Sequence, residues 1–153
     1  MAEFISFPPN NIGNILEKLS DKTPSLWGIM TAHHMLEHLL LPLEFSQGKF
    51  SVPLVTAEDK VEKVKRIALL SDAPLRRDFV APFLGPGLQP FKFQTFNESK
   101  TALLNEIESY LTFWESNENA VFTHPIFGPL NREEWHLFHR KHFTHHFSQF
   151  GLL

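Results

Sequence analysis

The spacing of apolar positions predicts helices along most of this chain. Ile12, Ile15 and Leu19 share one face, which predicts a short helix over 10–18. Thr31 is an N-cap residue for a second helix running to about Phe45. That stretch, TAHHMLEHLLLPLEF, is apolar on nearly every side, so it should be buried. Pro42 should kink it or end its regular part, and Gln47-Gly48-Lys49 is a stop signal. Residues 50–55 read as extended chain. Thr56 then reads as the cap of a third helix reaching about Leu70. Val61, Val64, Ile67 and Ala68 would face inward, and Lys60, Lys63 and Lys65 would face solvent. Asn97 reads as the cap of a fourth helix, from Glu98 to about Asn117. Its core stripe is Leu103, Leu104, Ile107, Tyr110, Leu111 and Trp114. The last helix should run from the cap Asn131 to Phe150, with Glu134 as capping-box partner and Gly151 as terminator.

Two stretches break the pattern. Residues 71–96 hold Pro74, Pro82, Pro86, Pro90, Gly85 and Gly87, so they cannot form one long helix. A loop of that length in a compact domain often covers a functional mouth. Arg76-Arg77 within it reads as a surface pair rather than an anion site. Residues 119–130 read as a second loop. The expected fold is all-α, a bundle with four main helices and long crossover loops, in one domain over 1–153.

Composition narrows the chemistry. With 42% hydrophobic and 20% charged residues over 153 positions, the chain should fold around a real core. Net charge is −3 and the basic residues are scattered, which argues against a nucleic-acid partner. The longest apolar run, Leu39–Leu43, is far too short to span a bilayer. No basic and apolar leader opens the sequence, so a cytoplasmic location is expected. The absence of cysteine removes disulfides, thiolate-bound zinc and a cysteine nucleophile. Sixteen Phe against three Trp and one Tyr predict a Phe-packed core.

Histidine is the residue that changes the picture. Five of nine histidines fall between His136 and His146. At ~100° per residue, Trp135, His139, His142, His146 and Gln149 share one face of the last helix. His142 and His146, at i and i+4, can reach a single ion. Zinc and its neighbours bind neutral imidazole, and a catalytic site commonly takes three protein ligands. A third ligand must come from another buried helix. His38 is the first candidate and His34, one turn earlier, the second. His34, His139 or His145 would close the shell as a fourth ligand, the mark of a structural site. The bland alternative is a set of satisfied core and surface histidines. Glu37 should point ~100° away from His38, a supporting or surface position rather than a general base. His124 opens HPIFG and reads as a loop-orienting residue. Trp27 and Trp135 read as packing.

The segments WGIMTAHHMLEHL (27–39) and HPIFGPLNREEWHLFHRKHFTHHFSQFGL (124–152) resemble the DinB/YfiT-like superfamily of metalloenzymes. The motif is HxxxH followed by Gln three residues on, here His142, His146 and Gln149, together with His38 before a leucine. The resemblance implies a four-helix bundle with a divalent metal, zinc or nickel foremost, on His38, His142 and His146. It implies thiol transfer or hydrolysis on a small molecule, with a low-molecular-weight thiol among the substrates it admits. It also admits a homodimer through the exposed sides of the bundle, for which no stripe of residues is evident. The other functional expectation is a non-catalytic bundle that binds a small ligand or a partner chain.

Overall fold

The computed structural model describes residues 3–77 and 87–153. The Pro82, Gly85 and Pro86 positions of the predicted loop lie outside the described residues. The described chain forms α1 (Ile12–Glu17), α2 (Ala32–Phe45), α3 (Val61–Val64), α4 (Phe96–Ser116) and α5 (Arg132–Gln149). A two-stranded antiparallel sheet, β1 (Phe122–His124) and β2 (Gly128–Leu130), precedes α5.

The three long helices begin where side chains satisfy their free amides. Thr31 Oγ1 accepts from the His34 amide at 3.2 Å to start α2. Asn131 accepts from the Glu134 amide at 2.9 Å while Glu134 accepts from the Asn131 amide at 3.1 Å, a capping box at the head of α5. Gly151, at φ 67°, ends α5 in the left-handed region. Its amide donates to Ser148 O at 3.1 Å, and the Leu152 amide donates to Phe147 O at 2.9 Å. Pro42 lies inside α2, whose helical turns continue to Phe45. Flanking packing outweighs the one lost amide there: Leu36, Leu39, Leu43 and Phe45 are all buried.

α2 is the central element, packed on α4 along one side and on α5 along another. Leu103, Ile107, Tyr110 and Trp114 of α4 meet it from one direction. Trp135, Phe143 and Phe147 of α5 meet the same core from the other. The N-terminal segment closes this core rather than hanging free. Phe7 stacks on His139 with ring centroids 5.1 Å apart and meets Tyr110 edge-on at 5.4 Å. The Ile5 amide donates to Thr144 Oγ1, and Arg140 Nε donates back to Ile5 O.

The expected all-α bundle with four main helices is corrected in three places. Residues 119–130, read as a loop, contain the β1–β2 hairpin, with Phe122 opposite Leu130 and His124 opposite Gly128. His124 makes the turn: its Nδ1 accepts from the amides of Ile126 and Phe127, at 3.0 and 3.3 Å. Gly128 has φ 75°, and a Cβ there would meet Val61 Cγ1 at 2.7 Å. The third helical stretch covers nearly the expected residues, but its hydrogen-bond pattern changes along it. A 3-10 turn at Glu58–Lys60 leads into the four-residue α3, then into a wider π-turn over Lys65–Leu69, where the Leu70 amide reaches Lys65 O. Thr56 does not cap it, because its hydroxyl donates to Ile126 O of the hairpin loop at 2.7 Å. The fourth helix starts earlier than Asn97: Thr95 caps it, in a capping box with Glu98. The architecture is therefore a mixed one, three long helices with two short ones and a small hairpin.

Two charged side chains hold the connections down. Glu37 on α2 accepts from the Lys92 and Phe93 amides, from Ser99 Oγ and from His33 Nε2, all at 2.7–3.1 Å. Burial raises its pKa, but those donors outweigh it and the net shift is downward. Glu37 is thus an anchor for the chain entering α4, in place of the expected position behind a metal ligand or at the surface. Lys141 on α5 is 1% exposed. Its ammonium donates to Ala68 O, Ser71 O and Ala73 O at 3.1, 2.6 and 2.8 Å. Burial lowers its pKa, although Asp72 acts the other way. Replacing Lys141 by Met strands three carbonyls. It should lower urea-unfolding stability by ~2 kcal/mol, with hydrogen exchange rising first at residues 66–75.

Candidate metal centre

The five clustered histidines on α5 face different neighbours, although one helix carries them all. His136 Nδ1 lies 2.6 Å from the Tyr110 hydroxyl. His139 is buried in the core, with Nε2 3.1 Å from Ser46 Oγ. Ser46 donates its own hydrogen to Leu43 O, so His139 Nε2 is the donor between them. The ring of His145 meets the Trp27 indole edge-on, with centroids 5.7 Å apart. His142 and His146 instead turn toward α2 and meet His38.

His38, His142 and His146 each offer a ring nitrogen, and these three nitrogens lie within 4.8 Å of one another. The ring centroids make a nearly regular triangle, 4.6–4.9 Å on a side. His142 Nε2 and His38 Nε2 are 3.0 Å apart. Two nitrogens on one tetrahedral ion with bonds of ~2.0–2.1 Å stand ~3.3 Å apart, so the closest pair is already near that spacing. Three histidines can therefore hold a metal ion here. Among the described residues no fourth histidine or carboxylate joins them. His34, the alternative ligand on α2, is occupied elsewhere: its Nδ1 is 2.6 Å from Thr31 Oγ1 and its ring faces Phe91.

The protonation state suits a ligand set. Burial, and then the neighbouring His145, hold the pKa of His38 down at about 4. His142 and His146 lie well below the usual imidazole range, first from burial and then from repulsion among the rings. Neutral imidazole is the form that binds a metal. Orientation is set at His146. Gln149 Nε2 donates to Trp27 O at 3.0 Å, which turns its amide oxygen toward His146 Nδ1 at 2.7 Å. That nitrogen must carry the hydrogen, so Nε2 keeps its lone pair for the triangle. Gln149 holds the same loop through its backbone, since the Leu26 amide donates to Gln149 O. The His142 Nδ1 atom is buried without a partner among the described residues.

A family model described as a protein of unknown function, DUF1569, matches residues 94–151. The match spans α4 to the end of α5, less than half of the chain. It takes in His142, His146 and Gln149 but stops short of His38. DUF1569 is a different family from the DinB/YfiT-like superfamily, so that resemblance is corrected, and the bundle it implied falls with it. No curated protein and no solved structure matches the chain. Among the described residues, no helix is long and apolar enough to cross a membrane.

The site residues named from spacing are thus brought together: His38, His142 and His146 converge, and Gln149 supports one of them. His34, His139 and His145 lie outside the triangle. Sequence reasoning missed the part played by Trp27 and Gly28. Gly28 has φ 77°, and a Cβ there would sit 3.0 Å from Gln149 Nε2. The only signal in the sequence was a Trp-Gly pair shortly before the cap of α2.

Two expectations follow from this geometry. Gln149→Leu should lower metal affinity ~10–100-fold in chelator competition, with the far-ultraviolet spectrum unchanged, and Gly28→Ala should act in the same direction. His124 supplies a pH dependence. Burial lowers its pKa to about 3, against ~6.5 in an unfolded chain. The unfolded state alone takes up that proton, so the contribution is complete above ~6.5 and is lost as pH falls toward 3. Urea unfolding of the metal-free protein should show stability falling from pH 6.5 to 4. His124→Asn, which keeps an acceptor for the turn amides, should flatten that slope by up to ~1.4 kcal/mol per pH unit.

Proposed function

We propose that the protein is a metal-dependent enzyme acting on a small molecule by thiol transfer or hydrolysis, with zinc or nickel on His38, His142 and His146. The observation that carries this reading is the convergence of three neutral imidazoles from α2 and α5, one of them pre-oriented by Gln149. A divalent ion on three histidines supplies Lewis acidity, lowering the pKa of a coordinated water or thiol. Cysteine is absent from the chain, so a thiol would belong to the substrate or a cosubstrate. The protein's own contribution is to hold the rings in their metal-binding form. Gln149 fixes the hydrogen on His146 Nδ1, and the Trp27 carbonyl fixes Gln149. Phe138 stacks on His142 with centroids 5.0 Å apart and limits its rotation. Ligands with few alternative rotamers lose little entropy on binding. Three protein ligands leave room for water or substrate, which supports catalysis over a closed structural site.

A second reading has its own observation. The 3.0 Å approach of His142 Nε2 to His38 Nε2 is also the length of a hydrogen bond. A proton shared there pairs those two nitrogens without any metal. The molecule would then be a histidine-lined binding module for a small ligand or a partner chain.

Elemental analysis of purified protein separates the two. Near-stoichiometric zinc or nickel in the wild type, lost in the His142→Ala/His146→Ala double variant, is the expected result. His38→Ala should lose it as well. Full metal content in His38→Ala would remove His38 from the ligand set. No metal in the wild type after reconstitution would leave the binding-module reading standing.

A further inference from the structure

Arg77 lies against Trp27, whose carbonyl holds Gln149, and has no part in the chemistry above. Its guanidinium carbon lies 3.9 Å from the centroid of the Trp27 ring. The indole meets His145 edge-on at 5.7 Å, and the His145 ring is 4.8 Å from that of His146. The carbonyl of Trp27 holds Gln149, and through it His146. Both the ring and the backbone of Trp27 therefore lead to the same ligand within one intervening side chain. Arg77 itself is exposed. A guanidinium lying over an indole uses its face for the contact and keeps its in-plane N–H donors at the edge. That edge is the part that grips a carboxylate or phosphoryl group in two-pronged fashion.

The position of Arg77 is built from α5. Lys141 holds the carbonyls of Ala68, Ser71 and Ala73. One helical turn later, the His145 ring meets the Trp27 indole edge-on. Residues 68–73 are thus fastened to the helix that carries two of the three triangle histidines, and Arg77 follows four residues on. The sequence pattern alone made Arg76-Arg77 a surface pair. The stacking on Trp27 gives Arg77 a defined place.

We propose that Arg77, stacked on Trp27, is the anion-binding group of the three-histidine site. The substrate is then a small molecule with an oxyanion, carboxylate or phosphoryl, at one end and a metal-binding atom at the other. This rests on the metal reading above and deepens it. Arg77 acts on which molecule is held, as a specificity-determining residue, and the histidines act on the reacting end.

The test uses zinc-loaded full-length protein, with metal content measured for every variant. Acetate, malonate, succinate and glutarate are titrated by calorimetry into wild type, Arg77→Ala and Arg77→Lys. Phosphonoacetate in place of malonate separates a phosphoryl from a carboxylate preference. One of the dicarboxylates, or phosphonoacetate, should bind the wild type about tenfold or more tightly than acetate. Arg77→Ala should erase that preference while acetate affinity and zinc content stay as they were, and Arg77→Lys should keep part of it. A wild type that prefers no two-ended anion to acetate overturns the proposal. So does a preference that survives in Arg77→Ala. Absence of zinc from the wild type overturns the metal reading itself and the proposal with it, so the two failures are distinguishable.

Discussion

An imidazole buried between packed helices cannot carry a charge cheaply, and its two nitrogens still need partners. That constraint organises this molecule more than any single apolar contact. α5 presents five histidines within eleven residues. The fold places them in different surroundings. Tyr110 bonds one nitrogen of His136, Ser46 bonds one nitrogen of His139, whose Nδ1 has no partner among the described residues, and His145 packs edge-on against Trp27. His146 has one nitrogen settled by Gln149, and its other is turned toward His38 and His142. A shared ion or a shared proton is the way such a group resolves itself, and that is why the triangle rather than a cavity marks the site.

The rest of the chain serves this arrangement by tying irregular backbone to the helices. Glu37 collects two amides, a hydroxyl and an imidazole, and thereby seats the approach to α4. Lys141 collects three carbonyls at the end of the short third helix. His124 collects two amides and turns the hairpin. Gln149 clamps the loop before α2 with both its backbone and its side chain. Each is a polar group with low exposure that satisfies backbone atoms which helices and strands leave unpaired. Loops held this way can present Trp27 and Arg77 at a defined place near the histidines.

Helix ends with strong local chemistry were legible in the sequence. Asn131 with Glu134, Thr31, and Gly151 sit where their side chains or backbone freedom place them, because capping is decided within four residues. The i, i+4 pair His142 and His146 was legible for the same reason. Asn97 misled because Thr95, two residues earlier, competes for the same role and has Glu98 at the right distance to complete its box. Thr56 misled because a hydroxyl capable of capping was drawn to Ile126, seventy residues away. The hairpin was hidden because three-residue strands carry too little alternation to read, and one of them contains a proline.

By itself, then, the sequence determined where the long helices lie, which of their faces are apolar, and that two histidines on α5 could share a ligand. These depend on neighbours within one or two turns. Only the tertiary structure decided which α2 histidine completes the set, that His34 and His139 are claimed by Thr31 and Ser46, and that Gln149 is turned by Trp27. It also decided that the third helical stretch changes its hydrogen-bond pattern along its length and that Arg77 lies on an indole. Each of those outcomes is a choice between partners distant in sequence. The choice is made by the packing of α2 between α4 and α5, which no local pattern encodes.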